Sequence, residues 1–144
     1  IKKTNIKIEV IGNKDSPINK DTEIILLNSF GSLSKYYQHC KNVFMGKSLS
    51  KKLILVGGQN PLEAARLSCK IYHGPFIYNF REIYEFLASE GISELAENPH
   101  DLSNKIINNI ESNFKIEKNK IDKINKLGED IFNKTVEKLQ RVIN

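Results

Sequence analysis

Short apolar runs separated by polar turns set the rhythm of this chain. Ile6 to Ile11 (IKIEVI) alternates apolar and polar positions and predicts a strand. Gly12 to Asp21 is rich in Gly, Asn, Asp, Ser and Pro, a loop composition. Glu23 to Leu27 (EIILL) is a compact apolar run of the kind that lies buried in a parallel sheet. Asn28 to Ser32 reads as a turn, Leu33 to Cys40 as a helix and Asn42 to Met45 as another strand. A loop carrying Lys47, Lys51 and Lys52 spans Gly46 to Val56. Pro61 to Leu67 predicts a helix, and Lys70 to His73 a strand stopped by Gly74-Pro75. Asn79, with Glu82 three residues on, announces a helix through Ala88 that Gly91 ends. Ile92 to Leu95 is a strand, and Asn98-Pro99 opens a further helix. From Lys115 to Ile143, Ile121, Ile124, Ile131, Val136 and Leu139 recur at near-helical spacing. That segment is one long amphipathic helix, or two broken near Gly128.

Strands that alternate with short helices favour an α/β fold with a Rossmann-like parallel sheet. Ligands of such sheets bind at the carboxyl ends of the strands. Three turns stand on strand-to-helix connections: Asn28 to Ser32, Gly57 to Glu63, and Gly74 to Asn79. All three are expected to open on one edge of the sheet.

The densest local signal lies in Val56-Gly57-Gly58-Gln59-Asn60-Pro61-Leu62-Glu63-Ala64-Ala65. Asn60 suits the N-cap, Pro61 the first helical position, and Glu63 the capping-box position. Gly57 and Gly58 are expected to leave room for a ligand against the backbone. A helix start with unpaired N–H groups can hold a phosphate, while the carboxylate accepts hydrogen bonds from sugar hydroxyls. Asn60 and Glu63 acting only as helix caps is the plainer reading of the same residues.

At 144 residues the chain is one domain or part of one. It opens on Ile1 rather than Met, which points to a fragment or processed piece. No run is apolar enough for a signal peptide or a membrane span. Cys40 and Cys69 have no metal-ligand spacing and suit a reducing compartment. His39, His73 and His100 are scattered, so neither a metal nor a cofactor is expected. The net charge of +5 comes largely from a lysine-rich C-terminal third in which acids alternate with bases, the pattern of a solvated helix face. Nucleic acid is not an expected partner, because neither aromatic-basic interleaving nor a helix-turn-helix signature is present.

Two linked stretches carry a family resemblance. GGQNPLEAARL, followed by KIYHGPFIYNFREIYEFL and then GIS, resembles the C-terminal domain of 3-deoxy-D-manno-octulosonic acid (Kdo) transferases, which typically read GGHNPLEAA and then GPHTFNFREI. Upstream, NSFGSLSKYYQHCKNVFMGKSL resembles the family stretch DTMGEL…Y…AD..FVGGSL. The resemblance covers Glu23 to Ser103. It implies the C-terminal half of a two-domain GT-B glycosyltransferase, present here as a partial domain. Such enzymes move Kdo from CMP-Kdo to the lipid A precursor in lipopolysaccharide assembly, at the cytoplasmic face of the inner membrane. Their N-terminal half carries the membrane anchor, the acceptor site and the catalytic carboxylate, so no catalytic residue is expected in this chain and the fragment alone is expected to be soluble and inactive. Residues 1–114 would form the donor-binding α/β domain, lacking its first elements, and residues 115–144 a C-terminal amphipathic helix.

By this resemblance the donor-binding positions are Phe30, Gly31 and Ser32, together with Gly57, Gly58, Gln59, Asn60, Pro61, Leu62 and Glu63. Asn60-Pro61-Leu62-Glu63 matches the family's Asn-Pro-Leu-Glu in full. Glu63 would accept from ribose hydroxyls, and Asn60 with nearby N–H groups would face the phosphate or the Kdo carboxylate. Gly31 would allow close approach of the nucleotide. Asn28-Ser29 replaces the usual Asp-Thr, Ser32 the usual Glu, and Gln59 the common His. Lys47 replaces a Gly, and the loop from Ser48 to Val56 is longer than usual; its lysines either meet the anionic donor or form a solvated loop. The alternatives are a glycosyltransferase of the same architecture using a UDP-sugar, and a non-catalytic α/β interaction module.

Outside that set the readings are structural. His73 is a structural histidine, Cys69 a small apolar residue, and Arg66 and Arg81 surface ion-pair formers. Tyr72, Phe76, Tyr78 and Phe80 pack in the core, with base stacking as the sharper alternative.

Overall fold

The computed structural model describes residues 5–12, 17–29, 31–112 and 114–143. The chain forms two compact units, residues 1–35 and 36–144. In the first, β1 (Ile8–Ile11) and β2 (Ile24–Leu27) pair in parallel, with Ile8 opposite Ile24 and Ile11 opposite Leu27. The Asn28 N–H extends the ladder to the Ile11 carbonyl at 2.8 Å. The apolar run of β2 is not buried as expected: Ile24, Ile25 and Leu26 are exposed. A two-stranded sheet has no inner strand, so pairing alone does not cover its faces.

The second unit begins within α1 (Leu33–Tyr37) and is built on three parallel strands in the order β3-β4-β5. β3 is Asn42–Phe44, β4 Lys70–His73 and β5 Ser93–Leu95. Asn42 pairs with Lys70, and Ile71 with Ser93. All the strand pairings are parallel, as the β-α alternation predicts, but they fall into two sheets rather than one.

β4 is the centre of the larger sheet, and each of its four residues is buried. One face sends Ile71 into a core with Leu62, Ala65, Leu87, Ile92 and Ile124. The Tyr72 hydroxyl donates to the Lys105 carbonyl at 3.2 Å, and burial pushes its pKa up to about 12. Lys70 shows how a buried ammonium is tolerated. Its Nζ donates to the Gly91 carbonyl at 2.8 Å, lies 5.0 Å from the Phe114 ring centre and 3.9 Å from Glu94. Burial lowers its pKa, against the opposing pull of Glu94.

Helices cover this sheet: α2 (Leu62–Arg66), α3 (Arg81–Ser89), α4 (Pro99–Glu111) and α5 (Lys118–Ile143). The start of α4 follows the sequence closely. Asn98 Oδ1 accepts from the N–H groups of His100 and Asp101, both at 3.0 Å, and Pro99 stands at the first position. α5 is a single helix of 26 residues that runs unbroken through Gly128. Arg66 explains that glycine. Its guanidinium fills the space a Cβ on residue 128 would need, and donates to the Asn125 carbonyl at 3.4 Å. Arg66 therefore ties α2 to α5, and it forms no ion pair among the described residues, where a surface ion pair was expected of it.

Cys40 and Cys69 are both free thiols. Cys69 is buried and lies within 3.3 Å of the Tyr37 carbonyl and 3.2 Å of the Cys40 carbonyl. Burial pushes its thiol up to about 11, in keeping with a small apolar residue.

Candidate functional site

The loop after β3 is more ordered than its lysines suggest. Lys51–Val56 forms a 3-10 helix that ends where Gly57 turns left-handed at φ 70°. Gly58 follows at φ 84°. Two successive glycines in this region reverse the chain without steric cost. They were expected to make room for a ligand. On the side a Cβ would occupy, however, the space belongs to the protein: Tyr78 and the Asn79 amide crowd Gly57, and the Phe76 carbonyl crowds Gly58. The pair is small because the turn is pressed onto the Phe76–Asn79 segment that follows β4.

Asn79 has a different task from the predicted one. It lies within a short 3-10 turn (Tyr78–Phe80), and the cap position of α3 falls on Phe80 rather than on Asn79. Its Nδ2 donates instead to the Val56 carbonyl at 2.8 Å, and its N–H to the Gly57 carbonyl at 3.3 Å. From α3, the Tyr84 hydroxyl donates to the Gln59 carbonyl at 2.8 Å. Three carbonyls of the turn are thus held from one side. In a trans peptide the N–H of the next residue points the opposite way, so those of Gly58 and Asn60 are directed away from Asn79 and Tyr84.

Beyond the turn, Asn60 Oδ1 accepts from the Leu62 N–H at 3.0 Å, and the Pro61 carbonyl accepts from the Ala65 N–H at 3.0 Å. The cap expected at Asn60 is therefore made, although regular helix starts only at Leu62. Gln59, Asn60 and Glu63 are exposed, while Pro61 and Leu62 are buried. Five residues of helix carry little macrodipole, so anion affinity here rests on individual N–H groups. The charge of Glu63 is felt by Tyr37, whose hydroxyl is raised first by burial and then by that carboxylate.

Two of the three predicted turns thus meet at the carboxyl ends of neighbouring strands. A further lacing joins the segment just after β3 to the second of them: buried Ser48 donates to the Met45 carbonyl at 2.5 Å and accepts from the Gly74 N–H at 2.9 Å. The third turn belongs to the first unit. There Gly31 is left-handed at φ 77° with open space beside it, and the hydroxyls of Ser32 and Ser29 share a hydrogen bond at 2.6 Å. Phe30 lies outside the described residues.

His73 is buried beside this region and structural, as expected. Its ring centre is 4.4 Å from that of Tyr84, and its Nδ1 is 2.8 Å from the Gly74 carbonyl. A carbonyl only accepts, so Nδ1 carries the proton. Burial lowers the pKa of this imidazole. Tyr72 is fully buried, while Tyr78 is 47% exposed. Sequence reasoning missed Tyr84 and Ser48 as ties to the turns. A hydroxyl inside an apolar helix face was the available signal for Tyr84, since buried hydroxyls find partners. Among the described residues no group of three or more His, Cys, Asp and Glu side chains could hold a metal ion.

No known protein-family profile matches the chain. A 3-deoxy-D-manno-octulosonic acid transferase of Haemophilus influenzae is 35% identical over 78 residues, which are 54% of this chain and 17% of that protein. The C-terminal CMP-Kdo binding domain of WaaA from Acinetobacter baumannii superposes with a TM-score of 0.63 at 22% identity, over 85% of this chain and 61% of that one. The chain resembles a Kdo transferase in sequence and a CMP-Kdo binding domain in fold. The resemblance read from the GGQNPLEAARL stretch is borne out, and so is the α/β fold with parallel strands. Because the chain spans a minor part of the Kdo transferase it matches, that enzyme's activity and partners do not pass to it by likeness alone.

Proposed function

We propose that this chain is the donor-binding part of a glycosyltransferase that moves Kdo from CMP-Kdo to the lipid A precursor. One observation carries the reading: sequence likeness to a Kdo transferase coincides with the fold of a CMP-Kdo binding domain. The local geometry supports it. A turn whose carbonyls are tied back directs the N–H groups of Gly58 and Asn60 to its other side, and exposed Glu63 stands on the first turn of the helix that follows. The N–H groups would receive the donor's phosphate or carboxylate, and Glu63 the ribose hydroxyls. Phe30, Gly31 and Ser32 are proposed as nucleotide-binding positions on the family resemblance alone. As the bond to Kdo breaks, negative charge builds on the departing CMP phosphate, and fixed N–H donors would stabilise it. The acceptor site and the catalytic carboxylate would lie in the partner half of the enzyme, which would work at the cytoplasmic face of the inner membrane. No described helix is long and apolar enough to cross a membrane.

Thermal melting with CMP, UMP or UDP tests the assignment. A ligand at a hundred times its Kd stabilises the folded state by about 2.7 kcal/mol. The expected result is a rise selective for CMP that Glu63→Ala abolishes. A rise selective for UDP would favour a UDP-sugar donor instead, and no rise with any nucleotide would remove the donor-binding reading of this chain.

A further inference from the structure

The 3-10 helix Lys51–Val56 presents an unusual surface. Its sequence, KKLILV, puts four apolar residues in a row, and all four are exposed; Leu55 is 90% exposed and Ile54 44%. Residues of a 3-10 helix are spaced about 120° apart, so Leu53, Ile54 and Leu55 point in three directions and cannot all lie against the protein. Positions i and i+3 eclipse. Lys51 therefore sits in line with Ile54, and Lys52 in line with Leu55. Each row has an ammonium at one end and an apolar side chain at the other.

The charge along this stretch of chain is one-sided. From Tyr36 to Leu62 there is no acidic residue, and the stretch holds Lys41, Lys47, Lys51 and Lys52. Lys47, Lys51 and Lys52 are exposed and form no ion pair among the described residues. An exposed apolar cluster flanked by unpaired lysines is complementary to a surface that is apolar inside and negatively charged outside.

We infer that the Lys51–Val56 helix docks on the surface of an anionic lipid bilayer. Leu55, with Ile54, enters the boundary between headgroups and acyl chains. Lys51 and Lys52 extend along the same rows to reach lipid phosphates, as long basic side chains do at interfaces. The element leads directly into Gly57, so docking brings the Gly57–Glu63 turn to the membrane surface.

Co-sedimentation of the chain with lipid vesicles, without nucleotide, tests this independently of donor binding. The expected result is capture by vesicles containing phosphatidylglycerol and not by phosphatidylcholine alone, with weaker capture in high salt. Two lysines at a lipid surface change partitioning about thirtyfold, which is the loss expected from Lys51→Ser with Lys52→Ser. Leu55→Ser, at a side chain in water, should weaken capture while leaving the melting temperature unchanged. α5 is the competing basic surface, and Lys134→Ser with Lys138→Ser is the control. No capture by anionic vesicles, equal capture by neutral ones, or loss confined to the α5 variant would each overturn the inference.

Discussion

The Asn79 side chain donates to the Val56 carbonyl at 2.8 Å, joining the turn after β4 to the turn after the Lys51–Val56 helix. This single amide, with the Tyr84 hydroxyl on Gln59, sets which way the peptide planes of the candidate donor turn face. Asn79→Ala removes the donor from a half-open site, and a hydrogen bond of this kind contributes about 1 kcal/mol. The expected outcome is a small drop in melting temperature with a larger loss of nucleotide-dependent stabilisation. Equal nucleotide effects in variant and parent would show that the turn keeps its shape unaided.

Gly128 offers a prediction of sign. An exposed helical glycine replaced by alanine ordinarily gains about 1 kcal/mol. Here the Arg66 guanidinium must leave the space first, giving up its bond to Asn125. Gly128→Ala should therefore gain less than that in the parent chain, and the full amount once Arg66→Ala has emptied the site. A denaturant-melting double-mutant cycle reads the difference, and purely additive effects would count against the contact.

The buried imidazole of His73 makes stability depend on pH. Burial lowers its pKa below the ordinary 6.5. The unfolded chain then binds the proton more readily, so this contribution is whole above pH 6.5 and is lost as pH falls through 6.5 toward the folded value. Unfolding free energy measured from pH 8 to pH 5 should decline more steeply in the parent than in His73→Gln. Parallel curves would assign the acid sensitivity to other groups.

Where the sequence was legible, a local rule had no rival. Asn98-Pro99 caps α4 as written, and Lys70 to His73, stopped by Gly74-Pro75, forms the strand expected of it, buried on both faces. Asn60 keeps its cap bond because Pro61 fixes the backbone behind it. Asn79 carries the same local signal, yet tertiary contacts captured its amide for Val56. Gly128 left one helix or two open, because a glycine's reason can lie in another element, here Arg66 sixty-two positions earlier. Gly57 and Gly58 were rightly marked as part of a turn, but no pattern along the chain could show that Tyr78 and Phe76 would press against them. Local pattern gave Glu63 two readings, a helix cap or an acceptor for sugar hydroxyls, and the likeness to Kdo transferases narrowed the second to a ribose contact.

β4 has a consequence for how the second unit breathes. Its amide and carbonyl groups are engaged by β3 on one side and β5 on the other, and all four of its residues are buried. Deuterium can enter such a strand only when the whole unit opens, so its exchange rate is a clock for global unfolding. The Val56–Asn60 turn hangs on side chains rather than on a ladder, and its protons should trade with the solvent long before that clock advances.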